Sequence, residues 1–296
     1  ALLIMVGVIF LPFRFEENDD VVMLLLASGN YTGSYESNLI FINSIYGSMV
    51  AMLYSLYKGV EWYTLLFVFF HFIAFSIIVY KLISIRLNQI FAVACIIFFS
   101  VIVLNFLMYL QFTTVALMLC LAAVMLFHDS NRKRVYGIVL FLTLLAALIR
   151  SEIVVLMMVS ALPYLLFVTL KNKQYLKMGI SLLLLLIPFV CIQLRDNTLI
   201  SEEWKQATRY NRLRAEVTDN INADFSVANY KGVCSLADYT LLKHFFIAPE
   251  YFNIEKLEAL KSNIQRKDLQ QSKIRNIPTQ FKQYLKEFSL ISLILL

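Results

Sequence analysis

Residues 62–80 have the sequence WYTLLFVFFHFIAFSIIVY, a run without a single Asp, Glu, Lys or Arg. An apolar run of this length forms a helix that crosses the roughly 30 Å hydrocarbon core of a bilayer. The whole chain is 60% hydrophobic and 16% charged, whereas soluble domains carry roughly 25% charged residues. We therefore expect an all-α fold, a polytopic transmembrane helical bundle. Similar runs predict further spans at about 1–12, 89–107, 112–128, 135–149, 153–170, 178–194 and 285–296.

Both ends of the sequence fall within apolar runs, and no basic segment precedes the first run. We therefore expect no cleavable signal peptide. We also expect residues 1–12 and 285–296 to be parts of longer transmembrane helices.

The positive charge of the chain, a net +6, is concentrated in short connections between the predicted spans. The most basic is Arg132-Lys133-Arg134, and the others are the lysines of 171–177 and the pair Lys81 and Arg86. Short loops rich in Lys and Arg stay in the cytoplasm, and two predicted spans separate each of these loops from the next. We therefore expect a multi-pass membrane protein, with no nucleic-acid partner. This topology puts 105–112, 150–152 and 195–284 on the outer side.

Residues 13–37, FRFEENDDVVMLLLASGNYTGSYES, form a strongly acidic connection, which we call the acidic loop. Four of its carboxylates fall within 16–20, where they repel one another unless something binds there. The following segment, 38–57, has its polar residues near one helical face, as in a juxtamembrane helix that lies in the membrane interface. That interpretation places the acidic loop outside. If 38–57 instead spans the membrane, the acidic loop is cytoplasmic.

Residues 195–284 are polar, poor in proline and free of low-complexity sequence, so we expect a mainly helical outer-face region. A helix is predicted over Ser201–Val217, with Ser201 as its N-cap and acids in its first turn. Arg209 and Arg212 share one face of that helix. A second helix is predicted over Tyr251–Arg266.

Two groups of residues on the predicted outer side suggest a candidate active site. Asp19 and Asp20 lie in the acidic loop, whereas Arg150 and Glu152 lie at a turn between two short spans. A carboxylate can take a proton from a hydroxyl as a general base, and an arginine can neutralise a departing phosphate. This chemistry suits transfer of a group from a lipid-linked phosphate donor. Arg209, Arg212, Asn105 and Gln111 are further candidate substrate-binding residues.

A structural interpretation competes with this one. The sequence Asn18-Asp19-Asp20, followed by an apolar segment and Gly29, is typical of a short helix with an N-terminal cap and a glycine end. In the same way, Asn105 and Gln111 could satisfy helix ends at the interface. Capping requires only one acid, however, so the surplus of acids favours a functional role.

The chain resembles the GT-C superfamily of glycosyltransferases in four features. These are the Asp-Asp pair in a first outer loop, the juxtamembrane helix after it, the many short spans and the polar outer region. Stretches such as SGNYTG, LQFTT, LIRSE, ADYTLLKHFF and FNIEKLEAL are also similar to a group of bacterial polytopic membrane proteins. That similarity implies a bacterial plasma membrane, with the active site on the outer face. The GT-C resemblance implies a polyprenyl-phosphate-sugar donor, a glycan or lipid-linked acceptor, and Asp19 or Asp20 as catalytic base. The chain has no recognisable donor-phosphate motif.

Other functions remain open at this stage. One is a Wzy-like glycan polymerase or ligase that relies on the arginines of 195–284. Another is a transporter or flippase for a lipid-linked sugar, although 8 Gly and 5 Pro in the whole chain do not favour the broken helices of transporters. A third is a non-catalytic membrane subunit. The four cysteines show no metal-binding spacing, and a divalent metal bridging Asp19 and Asp20 to a phosphate stays open.

Overall fold

The computed structural model describes most of the chain and divides it into two compact units, Ala1–Ile200 and Ser201–Leu296, each of which is described here by itself. The described residues are 14–84, 89–129, 133–171, 201–221, 235–244 and 249–263, with isolated helical positions between 179 and 191. The predicted spans 1–12 and 285–296 therefore lie outside the described residues, and 178–194 is described only in part.

The first unit is mostly helical, and two short strands bring distant parts of it together. Its strands are β1 (Arg14–Phe15) and β2 (Tyr109–Leu110). Its helices are α1 (Asn18–Ala27), α2 (Ser44–Leu56), α3 (Trp62–Ser84), α4 (Gln89–Met108), α5 (Phe112–Asp129) and α6 (Lys133–Lys171).

Three helices in the described part of the chain are long and apolar enough to cross a membrane: Trp62–Ser84, Gln89–Met108 and Arg134–Ala161. This confirms the coarse prediction of a helical membrane protein. Side chains along α4 are largely exposed, as with Ile90 at 81%, which suits a helix that faces lipid. Helix α5 is apolar but shorter.

Close packing around α5 builds the core of the first unit. Tyr63, Phe67, Ala74 and Ile78 of α3 are fully buried, and their spacings of four and seven residues put them on one helical face. Helices α5 and α6 contribute small buried residues, which let helices approach closely in a membrane protein. These residues are Ala116, Ala122, Ala123, Ala146 and Ala147.

Helix α6 is interrupted at Arg150, whose backbone is extended (φ −153°, ψ 92°) while helix continues on both sides. The sequence predicted two short spans, 135–149 and 153–170, that meet at Arg150-Ser151-Glu152. A break therefore occurs in the predicted turn. It occupies one residue, because Ser151 and Glu152 are already helical.

Helix α2 lies within the predicted juxtamembrane segment 38–57. Its 13 residues extend over only about 20 Å at 1.5 Å per residue, less than the roughly 30 Å hydrocarbon core. Asn43 caps it by accepting a hydrogen bond from the backbone N–H of Ile45 at 2.9 Å. Its length favours an interfacial helix over a span.

The second unit contains α7 (Glu202–Ile221), α8 (Leu236–Lys243) and α9 (Ile254–Asn263). The predicted N-cap is confirmed, because the Ser201 hydroxyl accepts from the backbone N–H of Trp204 at 3.3 Å. The second predicted helix, Tyr251–Arg266, begins later than expected, after Asn253 caps it, and residues 264–266 lie outside the described residues. The core of the unit consists of Leu213, Val217, Leu242, Phe252, Leu257 and Leu260.

Candidate functional site

A short parallel strand pair attaches the acidic loop to the connection between α4 and α5. Arg14 pairs with Tyr109 and Phe15 with Leu110, and the Glu16 N–H donates to the Leu110 carbonyl at 3.2 Å. The Arg14 guanidinium also lies 5.1 Å from the centre of the Tyr109 ring. The all-α prediction is thus incomplete in this region, because two short strands join the acidic loop to the connection between α4 and α5.

Helix α1 places the acids of the loop in and just before its first turn. Its N-cap is Glu17, and the Glu17 side chain makes no capping hydrogen bond. The glycine end is present, since Gly29 follows the helix with φ of 73°, a conformation that glycine adopts without strain. The sequence was therefore right about a short helix with a glycine end, but Asp19 and Asp20 are first-turn residues rather than caps of α1.

Asp20 points into the protein and is fully buried, with 0% of its surface exposed. Its Oδ1 atom accepts a hydrogen bond from the Tyr63 hydroxyl at 2.8 Å and from the Phe112 backbone N–H at 3.2 Å. Its Oδ2 atom has no hydrogen-bond partner among the described residues. Phe112 is the first residue of α5, so Asp20 satisfies one of the free N–H groups at that helix end.

Burial raises the pKa of Asp20 from 3.8 to about 7. A carboxylate loses hydration when it is enclosed, so its neutral form is favoured. The hydrogen bonds from Tyr63 and Phe112 act in the opposite direction, whereas the nearby charges of Asp19 and Glu17 raise the pKa further. A carboxyl with this pKa exchanges its proton near neutral pH, as a general base does.

The other acids of the loop differ from Asp20 in their access to solvent. Glu16 and Glu17 are exposed, and Asp19 is partly exposed. The two neighbouring aspartates thus occupy different environments, one enclosed and one open.

Tyr63 is positioned by its neighbours so that its hydroxyl reaches Asp20. It is fully buried, its ring centre lies 4.4 Å from that of Phe67, and its edge contacts Phe15 with ring centres 6.0 Å apart. Its backbone N–H donates to the Tyr54 hydroxyl at 3.3 Å. The sequence did not identify Tyr63, because a tyrosine at the start of an apolar span is also typical of an interface anchor.

Arg150, at the break in α6, lies against two aromatic rings. Its guanidinium carbon is 5.4 Å from the centre of the Phe41 ring and 5.1 Å from that of Phe112. The two rings are nearly parallel, with an angle of 6° between their planes. The Arg150 Nε atom is 3.3 Å from Oε2 of Glu152, so the predicted pair Arg150 and Glu152 is an ion pair.

Phe112 therefore contacts both predicted halves of the site. Its backbone N–H binds Asp20 and its ring lies against Arg150.

Gln111, a predicted binding residue, precedes Phe112 and is partly exposed, whereas Asn105 is exposed. Because Asn105 is two residues from both Val103 and Leu107, which are buried, it lies on the opposite face of α4. The fold brings Asp20 and Arg150 to one residue, Phe112, and Gln111 is its neighbour in sequence. Asn105 faces away from the buried side of its helix.

Arg209 and Arg212 belong to the second unit. Arg209 donates to Oε1 of Glu258 and forms an ion pair with it, which connects α7 to α9. Arg212 is exposed on α7. Arg209 thus has a structural partner within its own unit.

Within the described part of the chain, no group of three or more His, Cys, Asp or Glu residues is arranged to hold a metal ion. Asp19 and Asp20 also differ in burial, with Asp20 enclosed and Asp19 partly exposed. A divalent metal between them stays an untested prediction.

No family model, curated protein or solved structure matches the chain.

Proposed function

We propose that this chain is a GT-C-like membrane glycosyltransferase. It would move a sugar from a polyprenyl-phosphate donor to a hydroxyl acceptor at the outer membrane face, in synthesis or modification of a cell-surface polysaccharide or glycan. The observation that carries the proposal is that a buried carboxyl, Asp20, and a partly exposed guanidinium, Arg150, meet at Phe112. One group suits proton removal and the other suits phosphate binding.

In the proposed reaction the acceptor oxygen attacks the anomeric carbon of the donor sugar. The bond between that carbon and the phosphate oxygen breaks, and its electron pair leaves with the polyprenyl phosphate. The acceptor proton passes to Oδ2 of Asp20, the oxygen without a partner among the described residues. Arg150 stabilises the charge that develops on the phosphate.

Asp20 is preferred to Asp19 as the base because its pKa, near 7, is close to the pH at which it must accept and release a proton. Since Oδ2 is covered, acceptor binding requires the acidic loop to shift. Asp19 is the more accessible of the two and forms part of the acceptor side of the site.

The test is transfer by the purified full chain in lipid nanodiscs, measured as release of polyprenyl phosphate from a panel of polyprenyl-phosphate sugars. Asp20→Asn should lower the rate by at least about 100-fold, the usual contribution of a general base, while folding is preserved. Glu16→Gln is the matched control, because Glu16 is an exposed acid of the same loop. Full activity in folded Asp19→Asn, Asp20→Asn and the double variant would refute the proposal. Movement of a lipid-linked sugar across liposomes without covalent change would favour a transporter.

A further inference from the structure

Three distant parts of the sequence meet at the ring of Phe112: the loop before α2 through Phe41, the start of α5 through Phe112 itself, and the break in α6 through Arg150. The backbone of the same residue holds Asp20 of the acidic loop. Phe112 is 97% buried. Packing on all sides therefore holds the Phe112 side chain in place, as is required of a residue that orients its neighbours.

Among the described residues, the contacts of Arg150 leave one end of its side chain available. Its Nε side faces Glu152, and its guanidinium carbon lies over the two rings. Its terminal nitrogens have no ion-pair or hydrogen-bond partner among the described residues, and 26% of the side chain is exposed. An arginine held in this way presents a two-pronged donor to an anion, the geometry that fits a phosphate.

We infer that Phe112 is a positioning residue. Its ring orients the guanidinium of Arg150 toward the phosphate of a lipid-linked ligand, and its backbone N–H orients the carboxyl of Asp20. This inference rests on the proposed function for the identity of the ligand. Phe41 supplies the second ring that supports Arg150.

The ring and the N–H of Phe112 can be separated by substitution. Phe112→Leu keeps the N–H and an apolar side chain but removes the ring. Phe112→Ala and Phe112→Pro both remove the ring, but only proline also removes the N–H. Proline is well tolerated at the first position of a helix, which is the position of Phe112 in α5. Comparing Ala with Pro therefore isolates the N–H.

The first measurement is binding of polyprenyl phosphate to the full chain in nanodiscs, which does not depend on turnover. Phe112→Leu should weaken binding roughly 2- to 30-fold, the range expected for loss of a cation–π contact, and Phe41→Leu should weaken it in the same direction. Arg150→Ala should weaken it at least as much. Phe98→Leu is the control, because Phe98 is an exposed aromatic residue of α4. One result would overturn the inference: folded Phe112→Leu binds polyprenyl phosphate as wild type does, while Arg150→Ala binds it more weakly. The proposed function would still stand in that case.

The second measurement is the infrared carbonyl band of protonated Asp20, assigned by its loss in Asp20→Asn. Phe112→Pro should shift the pH midpoint of this band upward relative to Phe112→Ala, because one donor to the carboxylate is lost. Identical midpoints in these two folded variants overturn the N–H part of the inference. If the wild-type chain transfers no sugar but these variants behave as stated, the positioning role stands and the proposed function fails.

Discussion

The enclosed carboxyl of Asp20 makes the stability of the first unit depend on pH. The folded chain raises the pKa of Asp20 from 3.8 to about 7, so the folded state retains a proton that the unfolded state releases. Stability from this residue is therefore fully present below pH 3.8 and is lost as the pH rises toward and through 7. At about 1.4 kcal/mol per pKa unit, ionisation costs the folded state up to about 4 kcal/mol, most of it between pH 5 and 8.

Asp20→Asn removes this titration while keeping an oxygen that can accept from Tyr63 and Phe112. We expect the thermal midpoint of the wild-type chain to fall by roughly 5–10 °C more than that of the variant between pH 5 and 8, from about 2–4 °C per kcal/mol. Thermal unfolding in one detergent across this pH range is the assay. Tyr63→Phe provides a second check, because loss of its hydroxyl removes a hydrogen bond that lowers the pKa of Asp20. Parallel pH profiles for wild type and Asp20→Asn would show that Asp20 is not the source of the pH dependence.

Three further predictions concern other parts of the chain. Gly47→Ala should destabilise the first unit by several kcal/mol, because a Cβ there collides with the backbone carbonyl of Ser37; a thermal midpoint equal to that of wild type would contradict this. Ser235→Ala should lower the stability of α8 by about 1 kcal/mol, because it removes the capping box with Asp238. The second unit should then be cleaved more easily by a protease, and unchanged proteolysis would contradict this. Arg209→Ala should leave sugar transfer nearly intact if a carboxylate is the base, whereas loss of transfer would favour the Wzy-like polymerase.

The positions of the helices could be predicted from the sequence because they depend on local patterns. The apolar runs at 62–80 and 89–107 correspond to α3 and α4, and the charged group near Arg150 marked a break. Ser201 is followed by two acids, a sequence that identifies a helix start without tertiary information. The eight-residue helix α8 was not predicted, because so short an apolar stretch has too little periodicity.

The contacts of the site could not be predicted, because they join residues far apart in sequence. Asp20 binds Phe112 across 92 positions, and a pair of two-residue strands carries no alternation that a reader of the sequence could detect. Asp20 and Arg150 could be identified from the sequence by their charge. It did not identify Phe112, because nothing distinguishes one buried phenylalanine from the other aromatic residues of an apolar chain.

Asn43 gives the loop before α2 an unusual constraint on its length. Its backbone N–H donates to the carbonyl of Leu148, just before the break in α6, and its side chain donates to the carbonyl of Cys191, each at 2.9 Å. Two positions earlier, Phe41 lies against Arg150. An inserted residue between them would detach either the ring or the amide from its partner. Loops usually accept insertions and deletions readily, but this one should accept substitutions far more easily than any change in the number of its residues.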